Sequence, residues 1–289
     1  MKTLFVLISS LFVGFIQGQN YIPYYTLVNE GNKLLYHKKY QEAADQYEKA
    51  MKLVKYVHCD TYTAAAIAQS HLNQYKKATA YLEKSIEQGG NYYVQIQGAS
   101  FQEKYTNTPA YEQLTSENAP LFKVEFNSTY IHQLDSLYHI DQDTLRKDGK
   151  HQESAMYSDS LNFAALLKLI DKYGFPSEQI VGLAAAHQAE IIIHHNARLP
   201  KNEAYWPLWQ DAVKKGELNP EVYAWMYDQY LAWFKKESPY FYHCIAPIDK
   251  LSKAELELVD QHRKEWGVPT LAAFAIETTG GGMSFTKLY

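Results

Sequence analysis

Several kinds of chemistry are missing from this chain. It has only two cysteines, Cys59 and Cys244, and no Cys-x-x-Cys pair. It contains no G-x-S-x-G elbow and no Gly-rich phosphate loop, which removes the usual serine-hydrolase and nucleotide-binding readings and leaves no cofactor to propose. The glycines Gly280-Gly281-Gly282 follow no strand pattern. Charge of one sign is not in excess either. With 28 Lys+Arg against 32 Asp+Glu the net charge is −4, so no bulk field recruits nucleic acid or an anionic membrane.

Long apolar runs are also lacking. The run Leu4 to Ile16 falls well short of the roughly 20 apolar residues a spanning helix needs. It follows a single lysine, Lys2, and precedes Gln17-Gly18-Gln19, with a small residue at a cleavage position. This reads as a signal peptide over 1–18, cut after about Gly18, and predicts an exported protein, periplasmic or extracellular, with no stable membrane span after cleavage. No cysteine follows the run, so a lipid-modified N-terminus is not indicated. After export an even cysteine count permits one bridge between Cys59 and Cys244, tying the two halves together; the alternative is two buried thiols acting as small apolar residues.

Aromatic residues are plentiful at 15% of the chain, including 25 tyrosines, more than an ordinary core requires. Between Leu27 and Val54, Gly31, Leu34, Tyr40, Ala43, Tyr47 and Ala50 recur at helical spacing. Ala66, Tyr75, Ala78, Leu82 and Ser85 stand 35 residues beyond Gly31, Tyr40, Ala43, Tyr47 and Ala50. Such a period means stacked helical hairpins. The small residues let paired helices approach, while Tyr47 and Leu82 fill the space between hairpins. Residues 24–90 resemble tetratricopeptide repeats, although Ser85 departs from the usual alanine and neither copy closes with proline. Hairpins of this kind cannot bury their faces alone, so Tyr92 to Leu114 is expected to supply a degenerate or capping third unit.

A further helical period spans Phe122 to Arg146, and the polar stretch Lys147 to Glu153 then reads as a linker. Helix signals punctuate the second half. One helix is expected over Asp159 to Tyr173, stopped by Gly174 and Pro176, and another over Leu183 to Asn196. A third ends near Lys215-Gly216, Asn219-Pro220 opens a fourth, and Ser252 with Glu255 forms a capping box for a fifth that stops at Gly267 and Pro269. The predicted fold is all-α, with a short tetratricopeptide-like solenoid and a C-terminal helical domain. Its expected parts are repeats over 19–120, a connecting helix and linker over 121–150, the C-terminal domain over 151–275 and a flexible tail over 276–289.

His187, Glu190 and His194 fall within about 60° of one another on a helix, with His195 adjacent. His187 and His194 are two turns apart, about 10.5 Å, too far to share one ion. The inverted zinc-protease pattern is also missed, because Ile191 stands where a second histidine is needed. No metal site is therefore assigned. Glu190 and His194 at i, i+4 form either a general-base pair or a satisfied core pair. Asp159, Asn162 and Asp228 are further polar residues in helices that must pack, Asp228 as a cleft residue or a solvated edge. Trp206, Trp209, Trp225 and Trp233 offer glycan binding or core packing.

A second resemblance covers about Leu134 to Thr270. It rests on Asp141-Gln142 with Arg146, Asp159-x-x-Asn162, Tyr173-Gly174-Phe175-Pro176, Val181-Gly182, His194-His195, Lys215-Gly216-Glu217, Asp228 and His262-Arg263 before Gly267-Val268-Pro269. This series is similar to a family of bacterial helical domains of unknown function that often follows helical repeats in exported proteins. His195 matches the family's histidine of a Gln-His pair, and Asp228 its aspartate, although Gln229 replaces the usual arginine. The family's Gln-Tyr-Gly-Thr-like segment survives only as Pro239 to Cys244. The leading expectation is an envelope protein that binds or scaffolds a protein or peptide partner through its repeats. The alternative is a hydrolase of an envelope peptide or glycan, with His195 as general base and Asp228 and Glu190 beside it as catalytic candidates.

Overall fold

Gly31 shows why the first two helices lie so close. A Cβ placed there would meet the Tyr47 ring at 2.6 Å, so helix α1 (Ile22–Tyr36) and helix α2 (Tyr40–Met51) pack at a distance that only glycine permits. The computed structural model describes residues 20–90, 125–144, 152–197, 199–237, 239–241 and 251–271. The expected signal peptide, third hairpin unit, Arg146, Cys244 and C-terminal tail lie outside them. Among the described residues there are ten α-helices and no strand, so the fold is all-α.

Helices α3 (Cys59–His71) and α4 (Tyr75–Glu87) form a second hairpin that packs on the first through α2 and α3. The 35-residue offset appears in the backbone as well as in the side chains. Lys38 and Asn73 both adopt φ 60°, and the bond from Lys39 N to Leu34 O is repeated from Gln74 N to Gln69 O, each at 2.9 Å. Each turn thus closes its helix with a left-handed residue, as C-terminal caps commonly do. Ala43, Ala44, Tyr47, Ala64, Ala65 and Ala68 fill one core, and Ala66, Ala78, Leu82 and Ile86 fill the next.

The second half is built around helix α7 (Glu178–Ala197), which is buried on several faces through Ala185, Ala189, Ile192, Ile193 and Ala197. Gly182 interrupts it at φ 79° and ψ 163°, so the regular helix starts at Leu183, where the sequence placed it. Helices α5 (Ser128–His139), α6 (Gln152–Tyr173), α8 (Trp206–Lys215) and α9 (Pro220–Tyr230) contribute Tyr130, Leu134, Phe163, Leu166, Trp209, Val213 and Met226 to the same core. Helix α5 thus buries its apolar stripe in the second half, and α6 begins seven residues before the expected Asp159. The start and stop signals act as their chemistry requires. Asn219 caps α9, Gly216 ends α8 at φ 75°, and Ser252 with Glu255 forms both bonds of a capping box on α10 (Lys253–Glu265).

The two halves are in contact. Tyr21 N donates to Lys214 O at 2.7 Å, Asn29 Nδ2 donates to Gly267 O at 2.8 Å, and the Tyr21 ring lies where a Cβ on Gly216 would stand. No helix among the described residues is long and apolar enough to cross a membrane. Cys59 is a buried free thiol that donates to Ser85 O, so of the two sequence readings it follows the unpaired one.

Candidate functional site

Two cavities flank α7, and Glu190 lines both. The first, of about 120 Å³, lies at the junction between the hairpins and the second half. Tyr25, Asn29 and Asn32 of α1 and Asp60 of α3 face His187 and Glu190 of α7, with Glu217 and Asn219 from the turn before α9. Acidic side chains also include Glu178 and Glu221, and among the described residues the lining holds no lysine or arginine.

Glu178 anchors one wall. It is buried, and its Oε1 accepts from Cys59 N at 2.7 Å and from the Tyr56 hydroxyl at 3.0 Å. Its Oε2 lies 3.1 Å from His58 Nδ1. Burial alone would raise the Glu178 carboxyl, but the hydrogen bonds and charge of His58 outweigh it and hold the group below its ordinary value. Burial likewise pulls His58 down, and the contact with Glu178 more than reverses this, raising the imidazole. Burial pushes the neighbouring Cys59 thiol far up, which keeps it protonated and unreactive. Neither His58 nor Glu178 stood out in the sequence, because they are 120 residues apart and belong to no motif.

The second cavity, of about 190 Å³, is lined by Gln142, Glu190, Ile191, His194, His195, Val222 and Trp225. His195 Nδ1 lies 3.1 Å from Asp141 Oδ2 and 3.2 Å from Oδ1. Asp141 sits in a π turn, Ile140–Thr144, directly after α5. Asp159 of α6 completes the group, and one ligand atom from each of the three residues lies within 4.8 Å of the others. Asp141 and Asp159 are buried, while His195 keeps an edge on the cavity. A carboxylate on Nδ1 fixes the imidazole's tautomer and leaves Nε2 for chemistry, the arrangement a general base needs.

The candidates the sequence offered therefore fall in different places. His195 and Glu190 border the same cavity. Asp228 does not line either cavity. It is fully buried, and its Oδ1 accepts from Tyr240 N and Phe241 N, both at 2.8 Å. Arg263, also fully buried, holds the same segment, donating from Nη1 to Phe241 O at 2.7 Å and from Nε to Pro269 O. Asp228 thus positions residues 240–241. The carboxylate placed on His195 is Asp141, which reached the sequence reading only within the second resemblance.

His187 and His194 share a helix face but border different cavities. His194 stacks on Trp225 at 3.8 Å, and Glu190 Oε1 accepts from Asn219 N at 3.1 Å. Of the four tryptophans considered for glycan binding, Trp206 and Trp209 are core residues, Trp225 lines the second cavity and Trp233 is exposed. Comparison with family models, curated proteins and solved structures returns no match to this chain.

Proposed function

We propose that this is an exported bacterial envelope protein whose tetratricopeptide-like hairpins hold a protein or peptide partner, with one partner side chain anchored in the junction cavity. The observation that carries this reading is the lining of that cavity, where side chains of α1 and α3 face side chains of α7. Stacked hairpins present the first helix of each pair on a groove, and in this reading that groove would end at the junction cavity. A volume of about 120 Å³ is well below the roughly 300 Å³ at which small-molecule sites begin, so it suits a single side chain of a longer ligand. The acidic side chains of the lining, Asp60, Glu178, Glu190, Glu217 and Glu221, disfavour an acidic anchor. Export would follow from the signal peptide, and the C-terminal half would belong to the bacterial helical family of unknown function.

A photo-crosslinking residue at Asn32, inside the groove, should yield discrete adducts in the envelope, and the same residue at Lys76, exposed on α4, should not. Equal labelling from both positions, or none from Asn32, would reject the reading. A second reading, hydrolysis of an envelope peptide or glycan, is favoured by the contact of Asp141 with His195 Nδ1. It requires that turnover of such substrates vanish in His195→Gln.

A further inference from the structure

We infer that Asp141, Asp159 and His195 form a binding site for a divalent first-row transition metal ion, such as Mn²⁺, Co²⁺ or Zn²⁺. The three side chains come from three elements, the π turn after α5, helix α6 and the last turn of α7. Two carboxylate oxygens and one imidazole nitrogen suit ions of this class, whereas calcium would require six or more oxygens. Metal–ligand bonds of about 2.0–2.2 Å place adjacent donors about 3.0–3.4 Å apart. His195 Nδ1 and Asp141 Oδ2 are already 3.1 Å apart, and the whole set lies within 4.8 Å, so closure on an ion needs a carboxylate shift of at most about 1.5 Å.

The surroundings agree with the donor set. Asp141 is fully buried and Asp159 is 6% exposed, so their orientations are held by packing. A cavity of about 190 Å³ borders His195 and Gln142, the residue after Asp141. The carbonyl end of α7 carries the negative pole of its dipole, which favours a cation there. A π turn bearing a ligand is a frequent feature of functional sites. The site lies outside the junction cavity and does not depend on partner binding.

The test uses the untagged, chelator-treated chain, with Mn²⁺, Co²⁺ and Zn²⁺ titrated by calorimetry and followed by thermal unfolding. One equivalent should bind, the unfolding midpoint should rise by about 5 °C at a hundredfold excess over Kd, and Co²⁺ should develop a visible absorption band. Asp159→Asn and His195→Gln should each weaken binding at least about tenfold and abolish the band, with far-UV circular dichroism unchanged. If Asp159→Asn does not fold, His195→Gln at the cavity edge decides. Absence of binding to the parent chain, or full binding retained in either folded variant, overturns the proposal.

Discussion

His58 and His195 each place Nδ1 3.1 Å from a carboxylate oxygen, in different surroundings. Around His58 the carboxylate is also taken by a backbone amide and a tyrosine hydroxyl, and the pair spans the junction between hairpins and second half. Both pairs border a cavity, but around His195 a second carboxylate, Asp159, stands within ligand reach. The same pairing chemistry therefore acts as a fastening in one place and as a candidate reaction or metal site in the other. The difference lies in the second carboxylate that packing brings beside His195, a property of the tertiary arrangement.

The most severe way to break the comparison is to remove a carboxylate. Glu178→Ala should cost about 3–5 kcal/mol, because it leaves His58, Tyr56 and the Cys59 amide without their buried acceptor. His195→Gln should stay within about 1 kcal/mol. Urea unfolding of both variants measures this, and equal losses would erase the distinction between fastening and site. Next in size, Gly31→Ala should destabilise by about 1–3 kcal/mol through its clash with Tyr47. Combining it with Tyr47→Leu should cost less than the two changes summed, as coupled neighbours do.

A smaller effect concerns pH. The raised His58 contributes stability that is fully present below its unfolded value of 6.5 and is lost as pH rises through its folded value. The lowered Glu178 contributes stability present above its unfolded value of 4.5 and lost as pH falls through its folded value. The advantage of the native chain over His58→Gln should therefore peak between pH 4.5 and 6.5 and shrink on either side. Thermal midpoints across that range check it, and an advantage growing above pH 7 would contradict the sign. The smallest expected signal is at Cys59, whose buried thiol should resist iodoacetamide in the native state and react once the chain is unfolded.

Much of the helical framework was legible because its signals are local. The caps at Gly216, Asn219 and Ser252 act on backbone groups a few residues away, so their residue types suffice to place them. The repeat was legible for the same reason, since a period of 35 residues is a property of order along the chain. Asp228 misled because a carboxylate beside an aromatic stripe looks alike whether it meets a ligand or the amides of residues 240–241. His195 was legible as a candidate, but its partner was not, because Glu190 paired by spacing with His194 and Asp141 is 54 residues away.

By itself the sequence determined the helical class, the helix ends marked by Gly216, Asn219 and Ser252, and the spacing of the hairpins, all set by order along the chain. Only the tertiary structure decided that Glu178 fastens the hairpins to the second half, that Asp228 serves a backbone turn, and that Asp141 and Asp159 meet at His195. Those outcomes depend on which buried donors and acceptors packing brings within about 3 Å of one another, and each must find a partner because burial has removed its water.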